Sequence, residues 1–208
     1  MSRQSLEEIL PRVQHPSHYL GMEVHAKCKD PEKIRLRFAL AFPDLYPIGM
    51  SHVGIQILYH ILNAHIEIAA ESVFAPSIDM EARLRDGGIP LASLESGTPL
   101  FAFDIVGFSL LYELNYTSIL NMLALSGIPF YGTDRDLSHP FIIAGGPCTF
   151  NPEPVADFFD AMVVGDGEEV VLARGLEEAA AAGACPVCLR YCASVRSLRH
   201  TRKLRHPV

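Results

Sequence analysis

The chain has 208 residues, of which 49% are hydrophobic and 20% charged, with a formal net charge of −7. That is an ordinary soluble profile, sized for one domain with an appendage. No apolar run reaches the ~18 residues that a membrane span needs, and the polar, acidic opening MSRQSLEEIL lacks a signal-peptide core, so cytoplasmic residence is expected.

Residues 1–33 read as a lead-in. Ser5 is placed to cap a short helix, SLEEIL, that Pro11 ends. His15, His18 and His25 have spacings that could share a helix face, but Pro16 and Gly21 interrupt it, which favours ordinary surface histidines over a metal site. Ile34–Phe42 begins by alternating and becomes continuously apolar, as a strand entering a parallel core does. After the breaker Pro43-Asp44-Leu45-Tyr46-Pro47, Ser51 is expected to cap a helix to Ala64, with Val53, Ile57, Leu58, Ile61 and Leu62 on one stripe.

Ser72–Ile78 is a second strand candidate, shortened by Pro76. Asp79–Asp86 reads as a helix stopped by Gly87-Gly88, and Pro90–Leu94 as a third, weak strand. Asp104–Leu111 is a strong strand. Tyr116–Ser126 is a helix with Ile119, Leu120, Leu123 and Ala124 inward, closed by Gly127. Phe141–Ala144 and Ala161–Val164 are the last strands, short runs bounded by Gly and Pro. After the second, Glu168-Glu169 open an alanine-rich helical stretch, with acid at the positive end of the helix dipole. This alternation predicts an α/β, Rossmann-like open parallel sheet over residues 34–184, with helices on both faces.

Residues 185–208 break the pattern. They hold six Lys and Arg and no acid, leaving −13 on residues 1–184. An acidic body argues against nucleic acid as a general partner. The basic end could touch RNA or an acidic surface, against the plainer reading of a solvated tail. An odd cysteine count (Cys28, Cys148, Cys185, Cys188 and Cys192) without a secretory signal points to reduced thiols. Cys185-x-x-Cys188-x-x-x-Cys192 could hold an iron–sulfur cluster, or zinc with His200, but the same spacing describes one face of a short helix.

Candidate site residues cluster where strands end. The loop Phe42–Gly54 carries Asp44, Tyr46, Ser51 and His52, with Gly49 and Gly54 able to let backbone approach a ligand. The turns Gly145-Gly146-Pro147 and Gly165-Asp166-Gly167-Glu168 end the last two strands. In an open α/β sheet, these three loops should converge on the carboxyl edge where ligands bind. The alternative is that each glycine only satisfies a tight turn. Neither G-x-G-x-x-G nor a Walker lysine is present, so a phosphate cradle is not supported. No nucleophile–base set is visible.

GGP, then NPEP, then an apolar run into GDGEE resembles the N-terminal domain of cobalamin-binding-type radical S-adenosylmethionine (SAM) proteins. FALAFPDLYPIGMSHVGIQILYHILN and VFAPSIDMEARLRDGGIPLASLES narrow the resemblance to an uncharacterised family within that group, over roughly Tyr19 to Val171. Related sequences carry a similar Tyr-Leu-Gly-x-Glu at residues 19–23. The resemblance implies a cofactor- or substrate-facing domain beside a radical SAM barrel, with SAM and a [4Fe-4S] cluster held by that barrel. A barrel needs roughly 200 further residues or more, so this chain reads as a fragment or stand-alone domain, catalytically silent by itself. The C-x-x-C-x-x-x-C order reverses the radical SAM signature, and the tail does not resemble the family's continuation.

Cobalamin is the cofactor the resemblance suggests. Cobalamin domains with a histidine on cobalt use D-x-H-x-x-G, whereas here Met50 and Ile55 occupy the aspartate and final glycine positions around His52. The expectation is therefore cobalamin binding without a protein histidine on the metal, and no metal ligand in this chain. The competing reading is a non-catalytic module that docks a protein partner.

Overall fold

The computed structural model describes residues 3–171. Its centre is a sheet of five strands: β1 (Leu36–Phe42), β2 (Ile68–Phe74), β3 (Ile105–Ser109), β4 (Phe141–Gly145) and β5 (Ala161–Val163). All pair in parallel, in the order β2-β1-β3-β4-β5. This is the expected open α/β sheet with helices on both faces.

Alternate residues of each strand feed two cores. Phe38, Leu40 and Phe42 join Ile68, Ala70, Ile105 and Ile143 in one layer, covered by α3 (Val53–Ala64) through Ile55, Tyr59 and Leu62. Ala41, Val73, Val106, Phe108, Ile142 and Ala144 form the other. It is covered by α4 (Ile78–Gly87) through Met80 and Leu84, and by α5 (Tyr116–Leu125) through Ile119, Met122 and Leu123. Strands buried on both faces need apolar residues at successive positions, which is why β1 and β4 read as unbroken runs.

Several expectations are corrected. Pro90–Leu94 is not a sheet strand; it makes only an isolated antiparallel bridge, Ala92 to Pro99. β2 begins at Ile68, because pairing with β1 sets its register from Leu36↔Ile68 onward. Ala161–Val164 is shorter than expected, Ala161–Val163, and among the described residues β5 forms one edge of the sheet. The helix expected after Ser51 is α3, capped by His52 rather than Ser51, and a separate short helix, α2 (Tyr46–Ser51), occupies the loop before it. Of the stripe of α3, Leu62 is buried and Leu58 and Ile61 pack against the core as expected, but Val53 and Ile57 are exposed and Ile55 and Tyr59 take their places. On α5, Met122 and Leu125 take the inward places assigned to Leu120 and Ala124, and Ala124 is exposed. The first helix, α1 (Arg3–Ile9), starts before Ser5, and Pro11 lies in a 3-10 turn, Leu10–Arg12, that follows it.

The lead-in is fastened to the outer side of edge strand β2 and its neighbours. Gln14 N donates to Asp79 Oδ2 (2.6 Å), Tyr19 Oη pairs with Ser77 Oγ (2.7 Å), and Lys27 N donates to Tyr59 Oη (2.8 Å). Lys29 Nζ donates to the carbonyls of His65 and Ile68. Residues 91–99 add a strap along the same edge: Leu94 N donates to Ser72 O (2.9 Å) and Ser93 N to Thr98 O (2.9 Å). Together they occupy hydrogen-bonding groups that an edge strand would otherwise present to another chain. Among the described residues, no helix is long and apolar enough to cross a membrane. The cysteines of residues 185–208 and the continuation of the alanine-rich stretch lie outside the described residues.

Candidate functional site at the carboxyl edge

The strand order fixes where the chain changes direction. From β1 it moves outward to β2 and then returns to β3 on the other side of β1. The helices after β1 and β3 therefore lie on opposite faces, and their loops part at the carboxyl edge. Such a switch point is where open α/β sheets hold ligands.

Two hydrogen bonds span it. Tyr112 Oη donates to Asp44 Oδ2 (2.7 Å), and Asn115 Nδ2 donates to Pro43 O (3.0 Å). Asp44 also accepts from Leu45 N through Oδ1 (2.8 Å), which fixes the carboxylate at the start of the loop. The Asp44 bond raises the Tyr112 phenol's pKa from its ordinary value, so Tyr112 remains a neutral donor at physiological pH. Tyr112 and Asn115 were not legible as site residues, because their partners lie 68 and 72 positions away. Only the adjacency of β1 and β3 brings them together.

The loops named from the sequence occupy this edge at different distances from the switch point. Gly145-Gly146-Pro147 follows β4 and Gly165–Glu168 follows β5, the latter about 14 Å from β1 at three strand spacings. A Cβ on Gly145 would approach only the Val163 side chain, at 3.9 Å, and one on Gly165 nothing within 4 Å. The edge is open at both. Gly146 differs: its φ is +115°, and a Cβ would lie 2.7 Å from Leu110 O. The turn is drawn against β3, where Leu110 N donates to Gly145 O (2.7 Å) and Cys148 N to Leu110 O (3.1 Å). Gly146→Ala should destabilise the protein by about 1–3 kcal/mol, measured by urea denaturation; a cost under about 0.5 kcal/mol would show that the turn yields.

The β1 loop divides its named residues between packing and exposure. Gly49 lies against Phe74, where a Cβ would approach the ring to 2.2 Å, and Gly54 leaves room for the His52 ring. Both therefore have packing reasons to be glycine. Ser51 Oγ donates to Ile48 O within its own turn (2.8 Å). His52 caps α3: its Nδ1 accepts from Ile55 N (3.4 Å), and its ring lies 5.3 Å from Phe42. Among the described residues, no group of three or more His, Cys, Asp or Glu is placed to hold a metal ion.

Tyr46 turns toward the lead-in. It donates to Glu23 Oε1, stacks on His18 (ring centroids 4.8 Å) and meets Phe74 edge-on (5.5 Å). Burial first, then the Glu23 bond, pushes its pKa up to about 12. Apolar side chains stand exposed on loops of the same edge: Leu45, Ile48, Leu114 and Phe150.

Comparison with known proteins places these elements in a wider context. A family model described as "Radical SAM proteins, N-terminal" matches residues 54–183, more than half of the chain. The match begins after the Asp44–His52 loop. An uncharacterized protein of Methanocaldococcus jannaschii is 24% identical over 137 residues, covering 64% of this chain and 25% of that protein. The chain thus spans about a quarter of the length of this curated relative.

Proposed function

Because the chain belongs to the family of N-terminal domains of radical SAM proteins, we propose that its carboxyl edge faces a cofactor or substrate held against a radical SAM barrel of the longer protein. The observation that carries this reading is the β1/β3 switch point spanned by Asp44 and Tyr112, beside strand ends left open at Gly145 and Gly165. On this reading the domain alone does not cleave SAM, and the [4Fe-4S] cluster belongs to the barrel. Cobalamin is the cofactor proposed. The open glycines would admit its flat ring, Asp44 and Tyr112 would meet polar groups at its rim, and cobalt would receive no histidine from this chain. A bound cobalamin would supply alkyl-transfer or redox chemistry; this chain's residues would bind and orient it.

A second reading has its own support. The exposed Leu45, Ile48, Leu114 and Phe150 suit a surface that docks directly against protein, with no small molecule between. Titrating the 208-residue chain with hydroxocobalamin, followed by absorbance and calorimetry, separates the two. Saturable binding is expected, unchanged within about twofold in His52→Ala and weakened about tenfold or more in Gly145→Val, which fills the edge. Binding lost in His52→Ala would overturn the histidine-independent site. No saturable binding would favour the docking module.

A further inference from the structure

The strap of residues 91–99 is fastened through two carboxylates, Glu71 on β2 and Glu95 on the strap itself. They are 6% and 8% exposed. Glu71 Oε2 accepts from Ser93 Oγ (2.6 Å), Ser96 Oγ and Ser96 N (3.3 Å). Glu95 Oε2 accepts from Ser72 N (2.7 Å), the residue whose carbonyl holds Leu94 N. Each carboxylate thus fastens the strap to the strand from its own side, Glu71 from β2 and Glu95 from the strap.

Neither carboxylate has a cation. None of the ion pairs among the described residues includes Glu71 or Glu95. From α3, the facing titratable group is Tyr59, a phenol pushed up to about 12 mainly by burial and therefore neutral. From the lead-in, Lys27 approaches through its backbone N–H, which goes to Tyr59 Oη. The strap supplies hydroxyls from Ser93, Ser96 and Thr98. Two buried negative charges without a cation are costly. Glu71 is met by three donors from the strap's serines. Glu95, held from Ser72 and beside the Tyr59 hydroxyl, loses more to burial than its donors return, so the proton that relieves the pair resides on Glu95.

The strap also walls a hollow. Leu91, Ala92, Ser93 and Leu94 line it opposite Leu6, Met80 and Leu84. Ser93 takes part in both, with its hydroxyl on Glu71 and its residue in the wall.

We propose that a proton on Glu95 latches residues 91–99 to β2, and that its loss loosens the strap, freeing the outer edge of β2 and opening the hollow beneath the lead-in. Burial, then the Glu71 charge, raises the Glu95 pKa from 4.5 to about 7. The closed strap binds the proton more tightly than the open one. Its stabilisation is therefore full below about pH 4.5, falls as pH rises from there toward 7, and is gone above about 7.

Amide hydrogen exchange of the full 208-residue chain, corrected for the intrinsic pH dependence of exchange, tests this. In the unmodified protein, protection of the Ser72 and Leu94 amides should fall about tenfold per pH unit between pH 5 and 7 and then level off, as one linked proton requires. Protection at Val106 and Ile142 in the core strands should not follow. Glu95→Gln keeps an acceptor for Ser72 N without a titrating proton, and should flatten the Ser72 and Leu94 profiles to within about twofold. Glu71→Gln should retain the dependence but move its window to lower pH. A flat profile in the unmodified protein, or an unchanged slope in Glu95→Gln, would overturn the latch. A fall shared equally by Val106 and Ile142 would replace it with global unfolding.

Discussion

Asp160→Ala should lower the free energy of unfolding by about 3–5 kcal/mol, a large part of a typical domain's stability. Asp160 and Arg135 form the buried ion pair of the amino edge, with Arg135 Nη2 to Asp160 Oδ1 at 3.3 Å and both side chains almost wholly out of solvent. The guanidinium also donates to the carbonyls of Pro129 (2.9 Å), Phe130 (3.1 Å) and Phe158 (3.0 Å). Asp160 Oδ2 accepts from Ile142 N (2.8 Å), and Asp160 N donates to Ile142 O (2.8 Å). One pair therefore joins the loop before β4, the turn before β5 and the first turn of pairing between them. Removing the carboxylate takes this counter-charge from a buried guanidinium, which costs more than the pair contributed. Arg135→Lys should also fail, because one ammonium cannot serve three carbonyls and a carboxylate in a planar fork. Urea denaturation measures the cost. A loss below about 1 kcal/mol for Asp160→Ala would show that water or a neighbour compensates the charge. The carboxyl edge lies at the opposite end of the strands, so any ligand affinity measured in folded protein should be unaffected.

The second large effect is expected at Gly21. Its φ is +64°, and a Cβ there would sit 1.9 Å from Leu94 O and 2.8 Å from Leu94 C. Leu94 cannot simply withdraw, since its N–H is bonded to β2 at Ser72 O. Gly88 provides a matched control: its φ is +58°, with nothing within 4 Å of an added Cβ. Gly88→Ala should cost about 1 kcal/mol for the left-handed conformation alone. Gly21→Ala should cost about 2–4 kcal/mol, or detach the lead-in so that limited proteolysis cuts between residues 14 and 30. Equal effects at the two glycines would mean that the contact with Leu94 is soft.

The same position explains the Tyr-Leu-Gly-x-Glu pattern of residues 19–23. Tyr19 reaches Ser77 at the head of α4, Gly21 passes under the Leu94 carbonyl, and Glu23 accepts from Tyr46. Resemblance could mark these residues. Their reason was invisible, because every partner lies more than 20 positions away.

The sequence by itself determined the sheet and its class. β1, β3 and β4 are buried on both faces, so each needs successive apolar residues, and such runs bounded by Gly and Pro are readable without contacts. It also determined that the β4 and β5 turns carry glycine. Only the tertiary structure decided which edge each element occupies. Pro90–Leu94 is apolar enough for a strand, yet the edge it lies against receives a strap held by Glu71 and Glu95. Half of the α3 stripe was legible: Leu58, Ile61 and Leu62 face the core as their spacing implies, but the layer the helix covers selects Ile55 and Tyr59 over the equally apolar Val53 and Ile57. At the candidate site, Asp44 was legible as a polar residue after a strand. Tyr112 became its partner only because the chain returns past β1 to build β3, a consequence of strand order that no local pattern encodes.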